Sequence, residues 1–214
     1  MTEQPFWDDC LVNEPCCSEF LSSWEKIRDD VFFAIENYPQ FFVDYPKYKI
    51  NLPGSDKRVR MYENDWKVTA WSKFDGQYSE VDRVGKKLGN SVEKLFNRYI
   101  KKNIPNTYAI IEKYQEQGIL ANVFVSILSP GSVIHPHQGH LNDYMRCHIG
   151  LVCDPGCKIT VGDVTRTWEP GKLIAFKDGG PYYHSVKHEG ENDRIIFSFD
   201  LKLDYLRNGN YILG

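Results

Sequence analysis

The sequence predicts a mainly β fold with flanking helices, in which a double-stranded β-helix (jelly roll) forms the core. Three observations predict it. After Gly118 the chain breaks into short β-rich runs of similar length, separated by tight turns. Several of those turns carry Pro-Gly, which suits a reversal between antiparallel strands. Helical periodicity is confined to the part of the chain before Gly118, as expected for helices buttressing one sheet face.

Phe20, Trp24, Ile27 and Val31 recur at helical spacing and place an amphipathic helix before Pro39. Lys49–Leu52 reads as a weak strand ended by Pro53-Gly54, and Trp66–Trp71 as a stronger one. Asn90 followed by Glu93 forms a capping box opening a helix through Val92, Leu95, Phe96 and Tyr99. A further helix is expected from Thr107 to Gln117, capped by Asn106 and ended by Gly118. The strands then follow as Val123–Leu128, Val133–His137, Met145–Cys153, Lys158–Val161, Val164–Trp168, Leu173–Phe176, Tyr183–Lys187 and Ile195–Leu201. Pro130-Gly131, Pro155-Gly156 and Pro170-Gly171 are placed for type II turns. This many short strands in succession favours a double-sheet jelly roll over a βαβ fold. Residues 1–102 are read as a helical and strand extension packing on a core of residues 103–214, together one domain.

Composition limits the partners. The 214 residues are 42% hydrophobic and 14% aromatic, so many rings must be buried or line a pocket. A formal charge of -3 gives no reason to expect nucleic acid or an anionic membrane as partner. No run approaches the ~18 apolar residues of a membrane span. The N-terminus lacks the basic-then-apolar pattern of a signal peptide, so a cytoplasmic protein is expected. Cys10, Cys16, Cys17, Cys147, Cys153 and Cys157 lack paired CxxC spacing and are expected to be free thiols.

All six histidines fall between His135 and His188, inside the β-rich half. Imidazole is the commonest metal-ligand side chain, so such a cluster on a rigid scaffold points to a metal. His135, His140 and His188 have no partner that the argument requires and are read as packing or solvent-facing. His137 closes the segment that starts at Pro130, and His184 follows Asp178-Gly179-Gly180-Pro181 at the head of a strand. Arg194 opens the apolar run Ile195-Ile196-Phe197. A guanidinium entering a buried strand needs an anion, supplied either by a structural carboxylate or by a dicarboxylate ligand. Arg146 and His148 alternate, which puts both on one face of a strand.

From about Asn103 to Asp200 the chain resembles the aspartyl/asparaginyl β-hydroxylase family of iron(II)- and 2-oxoglutarate-dependent oxygenases. The matching words are Phe124-Val125-Ser126, Pro130-Gly131, His137-Gln138-Gly139, Asn142, Arg146-Cys147-His148-Ile149-Gly150-Leu151, Gly156-Cys157-Lys158-Ile159, Thr167-Trp168-Glu169-Pro170-Gly171-Lys172, and His184 with Arg194 leading to Asp200. The resemblance implies that His137 and His184 ligate iron(II). It makes Arg194, assisted by Ser126, the anchor for the distal carboxylate of 2-oxoglutarate. Arg146 and His148 would contact the cosubstrate nearer the metal, and Asn142 would be a pocket residue.

Most 2-oxoglutarate oxygenases complete a facial triad with a carboxylate two residues after the first histidine. Gly139 stands there in this chain. The resemblance therefore implies two protein ligands only, with room at Gly139 for water or an anionic substrate group. Asp143 is a less favoured source of a carboxylate. A formally neutral centre would tolerate an acidic substrate, and Gly139→Asp is expected to tighten iron binding. The implied reaction uses O2, converts 2-oxoglutarate to succinate, and hydroxylates an unactivated carbon. The β-carbon of an aspartyl, asparaginyl or related amino-acid unit, free or in a peptide, a protein or another small molecule, is the favoured target. The alternatives are a non-catalytic cupin-like binding module and a 2-oxoglutarate-dependent halogenase.

Overall fold

The alternation read from the sequence becomes two facing sheets. The computed structural model describes residues 4–72, 101–139 and 142–212. The helix expected to open at Asn90 lies outside them, as does His140. The helices are α1 (Asp8–Leu11), α2 (Pro15–Ser22), α3 (Trp24–Asn37), α4 (Pro105–Glu116) and α5 (Leu203–Asn208). The strands of the first part are β1 (Val43–Asp44), β2 (Lys49–Asn51), β3 (Arg58–Arg60), β4 (Tyr62–Glu63) and β5 (Trp66–Ala70). Those of the second are β6 (Leu120–Leu128), β7 (Val133–His137), β8 (Tyr144–Val152), β9 (Cys157–Val161), β10 (Val164–Thr167), β11 (Leu173–Lys177), β12 (His184–His188) and β13 (Arg194–Lys202). Every run expected to be a strand after Gly118 is one.

One sheet has the order β1-β5-β6-β13-β8-β11 and the other β10-β9-β12-β7-β4, while β2 and β3 form a separate hairpin. All the ladders are antiparallel. Non-sequential neighbours such as β6-β13-β8 are the crossovers of a jelly roll. Strands from before residue 102 complete both sheets: β5 pairs with β6, and β4 pairs with β7.

Period-2 alternation divides the larger sheet into two faces. Val123, Val125, Cys147, Ile149, Phe197 and Phe199 face a layer of helices, where Ile27, Val31 and Ile111 meet them in one buried cluster. Phe20 lies edge-on to Phe197 at 5.1 Å and tilted on Phe199 at 4.9 Å. Full burial of such a ring contributes about 2–3 kcal/mol. The opposite face looks into the space between the sheets, where Leu128, Ile174, Phe176 and Ile196 meet Ile134, Ile159, Val161 and Val186.

The amphipathic stretch from Phe20 to Val31 is two helices, because the chain turns at Ser23 (φ -107, ψ 8) between α2 and α3. Asn106 does not cap α4, whose N-cap is Ile104 with proline following it, although Gly118 ends the helix region at φ 70 as expected. Gly131 and Gly171 adopt the left-handed φ of a type II turn, whereas Gly156 does not. There the Asp154 carboxylate accepts from the Gly156 amide at 2.8 Å and from the amides of Glu191 and Asn192, tying two loops together. All six cysteines are free thiols. Among the described residues no helix is long and apolar enough to cross a membrane.

Glu14 joins the ends of the chain. Its fully buried carboxylate accepts from the amides of Cys16 and Cys17 at the start of α2, and from the Tyr205 hydroxyl of α5 at 2.7 Å. Glu14→Ala removes a helix cap and leaves two buried amides and the hydroxyl of half-buried Tyr205 without this acceptor. Urea unfolding is expected to show a loss of about 2 kcal/mol. A loss within error of zero would mean that water replaces the carboxylate.

Candidate active site

The interior face of the larger sheet collects the polar residues. On β6 it presents Asn122, Phe124 and Ser126, on β8 Arg146 and His148, and on β13 Arg194, Ile196 and Asp200, each set at even spacing. The smaller sheet contributes His137 from β7 and His184 from β12, directly opposite each other in register. A bulge makes this possible. Val186 pairs with Ile134 while His184 pairs with His137, so β7 carries one extra residue against β12. Ile134 and His137 consequently both line the cavity despite odd spacing. Pro136, within the bulge, sits where the ladder can spare an N–H.

All of these except Pro136 and Asp200, the latter paired with Arg146, surround one cavity of about 160 Å³, lined also by Tyr45, Tyr48, Met61 and Trp66 from the first part of the chain. The His137 and His184 rings are 4.2 Å apart between centroids. His137 Nδ1 donates to the His135 carbonyl at 2.8 Å. Such a second hydrogen bond orients metal-ligating imidazoles. Burial pushes the His184 pKa down to about 3, with His137 and Arg146 adding to the effect and Asp178 opposing it. His148 is likewise held well below its usual range by burial and by Arg146 and Arg194. Both rings are therefore neutral at physiological pH, the form that binds metal or donates one hydrogen bond.

Unfolded histidines take up a proton near pH ~6.5 and these two folded ones do not, so the unfolded state binds more protons below that pH. The metal-free protein is thus expected to lose stability as pH falls from 6.5 to 5, by up to about 1.4 kcal/mol per pH unit for each histidine. Urea midpoints measured at both pH values test this, and equal midpoints would refute it.

Arg194 is 2% exposed. Its Nη2 donates to the Ser126 hydroxyl at 2.8 Å, its guanidinium lies 4.8 Å from the Trp168 ring centroid, and its Nε has no hydrogen-bond partner. No carboxylate pairs with it among the described residues, and burial pushes its pKa down, opposed only by the Cys157 and Cys153 thiols. His148 Nδ1 and His184 Nδ1 are buried polar atoms likewise without a partner. The Ser126 oxygen also accepts from Trp66 Nε1 at 2.9 Å, so its own proton is free to be donated. One end of the cavity is therefore a cluster of donors around an uncompensated cation.

Arg146 is held differently. Its Nε and Nη2 donate to Asp200 at 2.5 and 3.3 Å, and its Nη1 lies 3.5 Å from Asp178. Burial opposes its charge, but Asp178 and Asp200 more than offset this and raise its pKa. Asp200 is completed by Asn122 Nδ2 at 2.8 Å. Arg146, expected to contact a cosubstrate, lines the cavity and is also paired within the protein. Asn142 is exposed and does not line the cavity, and neither does Asp143. His135 pairs with Glu63 at 3.3 Å, and His188 is buried with both ring nitrogens bonded to backbone.

Gly139 lines the cavity, but the space beside it is not open. A β-carbon there would coincide with the Asp178 carboxylate, whose backbone oxygen accepts from Gly139 N at 2.7 Å. Asp178 Oδ1 in turn lies 3.5 Å from His184 Nε2. A carboxylate from the β11–β12 loop therefore occupies the place that the sequence left vacant. His137, His184 and Asp178 line one cavity, yet among the described residues no three such side chains form a ready ligand set. The expectation for Gly139→Asp reverses accordingly. Gly139→Ala or Gly139→Asp must expel the Asp178 carboxylate from its contacts with His184 and Arg146. Manganese(II) affinity by titration calorimetry is expected to fall rather than rise, and a tighter metal would restore the original reading.

Two facing sheets with paired histidines on one and a buried arginine on the other define a double-stranded β-helix protein built around an inter-sheet site. Residues 22–203 match the family described as aspartyl/asparaginyl beta-hydroxylase, and the chain belongs to that family. It is 36% identical over 206 residues to the aspartyl/asparaginyl beta-hydroxylase of Homo sapiens, covering 92% of this chain and 22% of that protein. It is 33% identical over 205 residues to the aspartate beta-hydroxylase domain-containing protein 2 of Mus musculus, covering 85% of this chain and 57% of that protein. The chain thus spans between about a fifth and just over half of the length of these relatives. Among solved structures it is similar to a cupin-like protein from Thermotoga maritima, with a TM-score of 0.38 and 9% identity, covering 74% of this chain and 81% of that one.

Proposed function

We propose that the protein is an iron(II)- and 2-oxoglutarate-dependent hydroxylase of an unactivated carbon in an amino-acid, peptide or other small-molecule unit. The observation that carries this reading is Arg194, a buried cation with no carboxylate partner among the described residues, in the same cavity as two facing histidines. An isolated buried guanidinium is costly, and a dicarboxylate cosubstrate removes the cost.

The residues fit the group. His137 and His184 would hold the metal through neutral imidazoles, and Asp178 beside His184 would accept a proton from a bound water. Arg194 would bind one carboxylate of 2-oxoglutarate with Ser126 donating its hydroxyl, and His148 would donate near the other. When bound, iron(II) with 2-oxoglutarate and O2 supplies oxidative decarboxylation to succinate and oxygen insertion into a C–H bond. The chain itself orients the cosubstrate, keeps Arg146 neutralised, and excludes water with Ile134, Ile159, Phe176 and Val186. The Arg194 donor cluster disfavours a pure binding module, which needs no dicarboxylate anchor. The Asp178 carboxylate beside His184 disfavours halide at that position, and with it a halogenase.

The test is anaerobic reconstitution with iron(II) and 2-oxoglutarate, then O2, with succinate measured across amino acids and peptides that include aspartyl and asparaginyl units. Metal-dependent succinate supports the reading. Absence of 2-oxoglutarate binding to metal-loaded protein would overturn it.

A further inference from the structure

We infer that Trp66 is a positioning residue for the cosubstrate, acting through Ser126, so that a strand from the first part of the chain helps to build the 2-oxoglutarate anchor; this rests on the reading of Arg194 and Ser126 as that anchor. Strand register brings these side chains together. Leu128 on β6 pairs with Trp66 of β5 on one side and with Arg194 of β13 on the other, while Ser126 pairs with Val68 and Ile196. Trp66 and Arg194 therefore flank Ser126 diagonally from its two neighbouring strands, on the face that lines the cavity. Long side chains span such a diagonal. Both donate to the Ser126 hydroxyl oxygen, Trp66 Nε1 at 2.9 Å and Arg194 Nη2 at 2.8 Å.

A serine hydroxyl accepts through two lone pairs and donates one proton. With both lone pairs engaged, the capacity left to Ser126 is donation, and the acceptor it serves is the carboxylate that Arg194 binds. Without the indole N–H one lone pair is open, and the hydroxyl can turn to a second staggered position. The polarisation that one hydrogen bond lends the next is lost as well. Trp66 is itself held in place. Its ring stacks on Tyr45 at 3.8 Å with the planes 8° apart and meets Tyr62 edge-on at 5.4 Å. The Tyr62 hydroxyl donates to the Tyr45 carbonyl at 2.6 Å, and the Tyr45 amide donates to the Trp66 carbonyl at 2.8 Å. This aromatic wall fixes the indole, and the indole fixes the hydroxyl.

Binding of 2-oxoglutarate to manganese(II)-loaded protein under nitrogen is measured by calorimetry for the wild type, Trp66→Phe, Ser126→Ala and the double variant. Phenylalanine keeps an aromatic ring against Tyr45 and lacks the N–H. Trp66→Phe is expected to weaken 2-oxoglutarate binding at least about threefold, the scale of one net hydrogen bond. In the Ser126→Ala background the same change should have no effect, because the hydroxyl it acts on is gone. A residue that only packs would lose equally in both backgrounds. 2-Oxovalerate, which carries a methyl in place of the distal carboxylate, should bind Trp66→Phe no worse than the wild type. Should Trp66→Phe fail to fold, benzothienylalanine placed at position 66 keeps the bicyclic ring and replaces the N–H with sulfur, and the same losses are expected. Unchanged 2-oxoglutarate affinity, or an equal loss in both backgrounds or with 2-oxovalerate, overturns the inference. Failure of 2-oxoglutarate to bind the wild type, or full binding by Ser126→Ala, instead overturns the reading of the anchor itself, so the two failures are separable.

Discussion

Replacing His137 or His184 with alanine is expected to reduce metal-dependent succinate formation at least about a hundredfold, because each removes half of the imidazole donors. The fold should survive either change. His137 is only partly buried at the end of β7, and its hydrogen bond to the His135 carbonyl is local. His184 is 6% exposed and its Nδ1 has no partner, so its removal forfeits packing against Phe176 but no hydrogen bond from that atom. Both variants should therefore show near wild-type circular dichroism and a cooperative urea transition, while manganese(II) binding by calorimetry is lost. Near wild-type turnover in either variant would remove that histidine from the metal.

How much of this was legible in the sequence depends on the kind of signal. Strand alternation was legible, because burial of one face imposes period 2 and a slip of one residue would turn Phe197 inward and Arg194 outward. The same rule placed Arg146 with His148. It would also have placed Asp200, six residues beyond Arg194 and on its face, but a lone carboxylate at a strand's end carries no mark of its partner. The His137–His184 pairing depends on a bulge in β7, which regular periodicity cannot express; there the resemblance carried the residues. Asp178 was invisible for a different reason. Its carboxylate enters the site from one loop, and the glycine that yields space to it lies just past the end of β7. Gly139 therefore read as an absence, when it is a close approach. The helix break at Ser23 and the N-cap at Ile104 are local choices that tertiary contact settles.

Arg194→Ala is expected to raise the apparent 2-oxoglutarate requirement at least about tenfold, since a desolvated charge-assisted contact contributes more than ~1.5 kcal/mol. The stability of the same variant separates the anchor from an ordinary ion-pair residue. A structural arginine loses a carboxylate partner on truncation and typically costs about 3–5 kcal/mol. Arg194 has no such partner among the described residues, only the Ser126 hydroxyl and the face of Trp168. Its guanidinium is desolvated without compensation until a carboxylate arrives, so the variant removes a buried charge together with some packing. Its urea midpoint without ligand is expected to lie close to that of the wild type. Added 2-oxoglutarate with manganese(II) should then raise the wild-type midpoint, because only the native state binds the ligand, and leave the variant nearly unmoved. A variant that is severely destabilised without ligand yet still responds fully to 2-oxoglutarate would make Arg194 a structural residue and leave the cosubstrate without its anchor.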